Sequence, residues 1–145
     1  MAQRTQNYQN HTRNFALFHY VALPILALNF LNAVRHLYYS PDRHNIWEVV
    51  VAIGLLSLAV SARVMAVTVQ DRVIRLEMQL RLARVLPPAM VPDIAKLKRN
   101  QFVALRFASD SELPELVREV CDGRLATPKD IKQRVKDWQA DWLRA

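Results

Sequence analysis

The sequence predicts an all-α protein: a transmembrane helical hairpin whose second helix extends into the cytoplasm, followed by a small C-terminal helical domain. Two apolar runs, 15–36 and 46–69, are each long enough to cross the ~30 Å hydrocarbon core of a bilayer. Only 2 glycines occur in 145 residues, which argues against hairpin-rich β-structure and against a glycine loop for phosphates. Residues 70–86 continue the second run without Gly or Pro, so the second helix is expected to continue beyond the membrane.

Residues 1–14 are predicted to form a polar N-terminal tail, and residues 15–36 the first transmembrane helix. The length of this run and the lack of a small-residue cleavage site favour a retained anchor over a cleaved signal peptide. His19, Asn29 and Asn32 recur at helical spacing on one face of the span. Because polar side chains are costly in hydrocarbon, this face is expected to meet protein rather than lipid.

Residues 37–45 are predicted to form an external loop that reverses the chain around Ser-Pro-Asp. Tyr38 and Tyr39 on one side of the reversal, and Trp47 on the other, are expected at the membrane interface, where aromatic side chains are enriched. The second transmembrane helix, 46–69, then runs antiparallel to the first.

An antiparallel pairing of the two spans predicts two polar contacts inside the hairpin. Arg35 is expected near Glu48 at one end, and His19 near Arg63 at the other, so that each costly group gains a partner. Snorkelling of Arg63 to the membrane surface is the alternative for that residue.

Basic residues are concentrated after the second span. Of the 20 Lys and Arg residues, 16 lie from Arg63 onward, and the net charge is +7. Because cytoplasmic flanks of membrane spans carry an excess of Lys and Arg, both termini are predicted in the cytoplasm and the loop outside. In a bacterium this describes a two-pass protein of the inner membrane. Cys121 is the only cysteine, which excludes an internal disulfide and agrees with a reducing compartment.

Residues 70–86 are predicted to be a cytoplasmic extension of the second helix. Four of the apolar residues here recur at alternating spacings of four and three, which is a heptad seam typical of coiled coils: Val69, Val73, Leu76 and Leu80. The seam either self-associates or receives the C-terminal domain, and the sequence leaves both open. Four arginines in this region are expected to contact anionic lipid headgroups: Arg72, Arg75, Arg81 and Arg84.

Residues 87–145 are predicted to form a small basic helical domain. Asp110 or Ser111 should cap one helix, which Gly123 ends, and Thr127-Pro128 should start the last one. That last helix is expected to carry Trp138 and Trp142 on one face. Six residues are assigned either to the core or to a docking surface for a protein partner: Leu113, Leu116, Val117, Val120, Trp138 and Trp142.

Several segments resemble those of a known family: QNYQNH, LFHYVALPIL, VQDRVIRLEMQLRL, ALRFASDSELPELV, and LPELVREV through IKQRVKDWQADWLR. The family they resemble consists of small bacterial proteins of unknown function with two predicted membrane helices, the domain-of-unknown-function family numbered 6526. The similarity covers nearly the whole chain. The resemblance implies bacterial origin and membrane location, and it brings no catalytic residues.

No arrangement of residues in the sequence predicts catalysis. There is no Ser-His-Asp, Cys-His or paired-carboxylate pattern, and the 4 histidines lack close-spaced metal-binding partners, so neither a metal nor a cofactor is expected. The chain is therefore predicted not to be an enzyme but a membrane-anchored adaptor or accessory subunit. Its expected partners are the lipid bilayer with its anionic lipids, and a protein partner or further copies of itself. The alternative is a membrane-tethered nucleic-acid-binding or regulatory protein, because basic residues cluster at 96–99 and 129–136.

Overall fold

The computed structural model of the chain describes residues 7–9 and 15–141. Every regular element within these residues is a helix, so the predicted all-α class is confirmed. Residues 15–141 divide into two compact units between Val67 and Thr68. The first unit contains the hairpin, and the second contains the C-terminal helices.

The hairpin begins with a π-helix, Leu17–Ala22, followed by helix α1, Leu23–Tyr39. Pro24 lies in the first turn of α1, where a missing backbone N–H is tolerated. A proline ring would clash with the carbonyl four residues earlier in a regular α-helix. The wider π turns before Pro24 fit this constraint, and the N–H of Leu23 donates to the carbonyl of Phe18, five residues back.

The connection between the two long helices is shorter than the predicted loop 37–45. Helix α1 continues through Tyr39, and helix α2 covers Arg43–Val85, so only residues 40–42 lie between them. The buried Asn45 explains the early start of α2. Its backbone N–H donates to a carboxylate oxygen of Asp42 at 2.8 Å, and its amide donates to the carbonyl of Ser40 at 2.6 Å. These bonds cap the N-terminal end of α2 and connect it to Ser40, which directly follows α1.

The two long helices present most of their apolar side chains outward. Leu17–Tyr39 and Arg43–Val85 are both long and apolar enough to span a membrane, with mean hydropathies of 1.7 and 2.2 in their apolar windows. Only 6% of the most apolar 18-residue stretch of each helix is buried within the chain. The small residues Ala33 and Ala52 are the exceptions, since both are buried on the two arms of the hairpin.

The second unit packs three short α-helices and one 3-10 helix against the end of α2. Pro87 follows α2, and the 3-10 helix Pro88–Lys96 leads into helix α3, Arg99–Leu105. Helix α4 covers Leu113–Cys121 and helix α5 covers Pro128–Arg134. The core of this unit includes residues of α2, so the predicted boundary between 70–86 and 87–145 does not separate two bodies.

Local capping signals fix the C-terminal end of α4 and the start of α5 as predicted. The predicted cap of α4 at Asp110 or Ser111 is wrong, because the helix begins at Leu113 and Glu112 occupies the N-cap position without a side-chain hydrogen bond. Gly123 has φ +78°, and the N–H groups of Gly123 and Arg124 donate to the carbonyls of Val120 and Glu119, which is a Schellman motif. At α5, Thr127 Oγ1 accepts from the N–H of Asp130 at 3.2 Å. The Asp130 carboxylate accepts from the N–H of Thr127 at 3.0 Å, so the capping box is reciprocal.

The end of α5 differs from the prediction, because the helix stops at Arg134 and Trp138 does not lie on it. Beyond Arg134 the chain is extended, and Trp138 forms an isolated antiparallel bridge with Ala108. The indole ring packs on Phe107 with ring centroids 4.9 Å apart. The residue that Trp138 contacts after the helix ends is fully buried. Trp142, the other predicted residue of this face, lies outside the described residues.

Candidate functional site

Within the second unit, helix α2 has two different apolar faces. Ile74, Met78 and Leu82 follow one another every four residues and are at most 6% exposed, because the C-terminal helices pack on them. The heptad seam lies on the other side of the helix, about 180° away at ~100° per residue. Its side chains are exposed: Val69 59%, Val73 47%, Leu76 61% and Leu80 68%. The interpretation in which the seam receives the C-terminal domain is therefore wrong.

A cleft of about 890 Å³ opens beside the buried face of α2. Val73, Ile74 and Met78 contribute apolar surface to it from the helix, whereas the opposite wall comes from residues 106, 109–111 and 139–141. The extended segment after α5 forms part of this wall, because the N–H of Gln139 donates to the carbonyl of Phe107 at 2.7 Å. The departure of the chain from helical geometry after Arg134 thus shapes the cleft.

Arg81 fastens α2 to the loop that follows α3. Its Nε donates to the carboxylate of Asp110 at 2.7 Å, and its two terminal nitrogens donate to the carbonyls of Arg106 and Ala108 at 3.2 and 2.7 Å. These three acceptors belong to one short segment, residues 106–110, so a single guanidinium fixes the position of that wall. The prediction that Arg81 contacts lipid headgroups is therefore wrong, because its guanidinium forms hydrogen bonds within the second unit.

The second arginine of the cleft, Arg106, is buried and also neutralised. Its Nε lies 3.0 Å from a carboxylate oxygen of Asp141, and its guanidinium lies over the ring of Phe107 at 4.4 Å from the centroid. The same phenylalanine contacts Trp138. This stack joins the cleft wall to the buried Phe107.

Gln70 lies at one end of the cleft. Its side-chain oxygen and nitrogen are both buried and have no hydrogen-bond partner in the part of the chain that the structure describes. Buried amides are normally paired, and an unpaired one costs free energy. A carboxamide is both donor and acceptor, and it therefore matches a peptide group in hydrogen-bonding character.

The four apolar residues of α4 that were assigned to core or docking lie in the core. Leu113, Leu116, Val117 and Val120 are at most 6% exposed, and Trp138 is partly buried against them. A partner of the second unit must therefore bind elsewhere. The cleft residues were missed at the sequence level, because Arg81 and Asp110 are 29 residues apart and no local pattern connects them.

The hairpin does not form the predicted polar pairs. Glu48 pairs with His44, one turn earlier on the same helix, at 3.3 Å, whereas Arg35 lies over the ring of Tyr39 at 5.9 Å. The contact predicted between Arg35 and Glu48 is thus wrong, since partners within one turn satisfy both groups. His19 bonds through Nδ1 to the carbonyl of Phe15 at 3.0 Å instead of reaching Arg63, which is half-buried.

Asn29 and Asn32 are exposed on α1, so the second helix of the hairpin does not cover the polar face of the first. The three aromatic residues predicted at the membrane interface flank the 40–42 turn. Tyr38, Tyr39 and Trp47 are 81%, 75% and 62% exposed. Their interfacial role stays a prediction, as does the contact of headgroups with Arg72, Arg75 and Arg84, all of which are exposed.

Neither metal binding nor thiol chemistry is indicated in the described part of the chain. No group of three or more His, Cys, Asp or Glu side chains there is arranged to hold a metal ion. Burial raises the pKa of the Cys121 thiol, so the thiolate that would act as nucleophile is disfavoured at neutral pH.

The fold and the cleft define a class of protein: an all-helical chain with two long apolar helices and a small helical unit that carries an open cleft. The chain belongs to DUF6526, a family of unknown function, whose family model matches residues 1–145. The resemblance inferred from the sequence is confirmed. Neither the curated proteins nor the solved structures contain a significant match to the chain.

Proposed function

We propose that this protein is an adaptor or accessory subunit of the bacterial inner membrane, and that its C-terminal unit binds a segment of a protein partner in the cleft. The observation that carries the proposal is the cleft itself. It joins an apolar surface on α2 to a polar wall fixed by Arg81, and it ends at the unpaired amide of Gln70. An apolar surface bordered by polar groups is typical of protein-binding sites.

The hairpin supports the membrane part of the proposal. Two helices of sufficient length and hydropathy, a short turn between them and exposed aromatic residues beside the turn fit a two-pass anchor. The excess of basic residues after Arg63 favours a cytoplasmic location for both termini. Asn29 and Asn32 are exposed on α1, and their amides favour contact with another protein in the bilayer.

The charges of the cleft favour a protein segment over nucleic acid. Glu77, Asp110 and Asp141 contribute three negative charges and Arg81 and Arg106 two positive ones, which gives a net charge of −1. Both arginines already have carboxylate partners. A phosphate backbone requires the opposite balance.

The basic cluster at 129–136 is also partly neutralised. Arg134 donates to the carboxylates of Glu115 and Glu119 at 3.0 and 3.2 Å. The bond with Glu119 raises the pKa of Arg134, so the guanidinium stays charged and tied to α4. This arrangement favours a structural use of Arg134 over contact with nucleic acid.

A photoreactive amino acid at Ser111 tests the cleft. Ser111 is exposed and lines the cleft, whereas Lys129 is exposed in the same unit and does not line it. In intact cells we expect a protein adduct from position 111 that position 129 does not give. Equal adducts from both positions, or an adduct with nucleic acid that weakens steeply with salt, would contradict the proposal.

A further inference from the structure

The exposed seam of α2 is an apolar strip outside the core of the second unit, and one of its residues, Val73, also borders the cleft. Its four residues are between 47% and 68% exposed, and they lie opposite the face that builds the core of the second unit. Ala83 continues the strip at the same heptad spacing and is also exposed. Helix α2 is thus apolar on two opposite faces within the second unit. The C-terminal helices cover the face with Ile74, Met78 and Leu82, and the seam is left exposed to solvent.

The charged residues beside the seam are complementary in one arrangement. With Val73 and Leu80 at a positions and Val69 and Leu76 at d positions, Arg72 occupies a g position and Glu77 the following e position. In a parallel two-stranded coiled coil, a g residue faces the e residue five positions later on the other chain. Arg72 of each copy then faces Glu77 of the other, and the twofold axis generates two such pairs.

Both charged side chains are available for this pairing. Arg72 and Glu77 are exposed, and neither forms an ion pair with another residue in the ranges 7–9 and 15–141. An antiparallel arrangement would instead place g residues against g residues and e residues against e residues, which removes the match. The charges thus select a second copy in parallel orientation.

We propose that the seam of α2 pairs with the same seam of a second copy of this chain, as a short parallel coiled coil with Arg72 facing Glu77 across the interface. The parallel orientation rests on the proposed membrane anchor, because two copies in one bilayer direct α2 the same way. The anchor also raises the effective concentration of the seams, which offsets their short length of about two heptads.

The pairing has a consequence for the cleft. Val73 and Glu77 belong to the proposed interface and also line the cleft, so pairing through the seam covers part of one edge of each cleft.

Disulfide cross-linking of the full chain in native membranes tests the seam. In a Cys121→Ser background, Leu76→Cys places a thiol at the seam, and the matched control Arg75→Cys places one on the adjacent exposed position outside it. Mild oxidation should give a product of twice the chain mass at least about fivefold more from position 76. Equal yields from the two positions, or a 76-specific adduct with a different protein, would overturn the proposal.

Charge reversal tests the orientation. In the Leu76→Cys background, Arg72→Glu or Glu77→Arg alone places like charges at both interchain pairs and should weaken dimerisation by about tenfold. The double variant Arg72→Glu/Glu77→Arg restores opposite charges and should recover the cross-linked yield. If the double variant is as weak as the single ones, the parallel register is wrong.

Alkaline carbonate washing of the same membranes separates this proposal from the membrane anchor. If the chain stays in the membrane and a dimer forms through the cysteine at position 76 but not at position 75, both the membrane anchor and the seam pairing are supported. If the chain stays in the membrane without that dimer, the seam pairing alone is wrong. If the chain is released from the membrane, the anchor is wrong, and with it the reason given for a parallel orientation.

Discussion

At the scale of single residues, Arg81 is the side chain on which the cleft depends most directly. Its guanidinium makes three hydrogen bonds to residues 106–110, and its side chain is 23% exposed. Two of the acceptors are backbone carbonyls, and a lysine matches this set less well, because its three donors radiate from one nitrogen whereas the guanidinium uses three separate nitrogens in a planar fork. Arginine is therefore favoured at this position for reasons of geometry as well as charge.

Replacement of Arg81 by methionine should destabilise the second unit by about 2 kcal/mol, since the stem is kept and the charged hydrogen bonds are lost. Arg81→Lys should give a smaller loss. The measurement is thermal unfolding in detergent followed by tryptophan fluorescence, because Trp138 packs in this unit. Arg75→Met, an exposed change six residues earlier on the same helix, is the control and should leave the transition unchanged.

At the scale of secondary-structure elements, the helix ends follow local rules. Thr127 caps α5 through a reciprocal capping box, and hydrogen bonds from the side chain and then the backbone of Thr127 hold the pKa of Asp130 below its ordinary value of 3.8. A carboxyl group whose pKa is lower in the folded state stabilises that state above its unfolded pKa. The stabilisation is lost as the pH falls through the folded pKa.

Asp130→Asn therefore gives a pH-dependent prediction. The variant should unfold at a lower temperature than the natural chain near neutral pH, and the difference should shrink between about pH 5 and about pH 2. Unfolding temperatures across this range measure it. Asp122→Asn is a suitable control, since Asp122 forms only an exposed pair with Arg124 beyond the end of α4. A difference that stays constant with pH would show that the carboxylate charge does not matter at the cap.

The buried face of α2 gives a second prediction at this scale. Leu82 is fully buried in the core of the second unit, so Leu82→Ala should cost about 2 to 5 kcal/mol through lost contacts and a residual cavity. Arg84→Ala, two residues later and exposed, should change stability by less than about 0.5 kcal/mol. Urea unfolding of both variants in detergent compares them. Similar losses would mean that α2 does not belong to this core.

At the scale of the whole molecule, the proposed topology can be tested at the turn. A cysteine replacing the exposed Tyr39, in a Cys121→Ser background, should react with a membrane-impermeant maleimide added to intact cells. A cysteine at the exposed Lys129 should react after lysis only. The reverse pattern would invert the topology.

The parts of the fold that the sequence predicted are those that short-range patterns determine. Apolar run lengths predicted both long helices, and Thr127 and Gly123 predicted helix ends because their bonds reach only a few residues. The position of Trp138 was not predictable, since its contact with Phe107 spans 31 residues and outweighs the local helical pattern. The same reason applies to the pair of Arg81 and Asp110, and hence to the cleft.

The exposed seam shows a different limit. Val69, Val73, Leu76 and Leu80 were recognised as apolar and heptad-spaced, but periodicity does not say which apolar stripe a neighbouring domain will select. Ile74, Met78 and Leu82 form a competing stripe at spacings of four. In the structure the C-terminal core packs on this second stripe and leaves the seam exposed.

The connection of three residues between α1 and α2 has a consequence for how such a protein could insert into a bilayer and be recognised from the far side. A segment this short leaves no slack between the helices, so both would have to enter a bilayer together as one inserted hairpin. In the proposed topology, the inserted hairpin would offer antibodies, proteases and soluble signals on the far side almost no polypeptide to recognise. Any stimulus that this protein registers would therefore come from within the bilayer or from the side that carries the C-terminal unit.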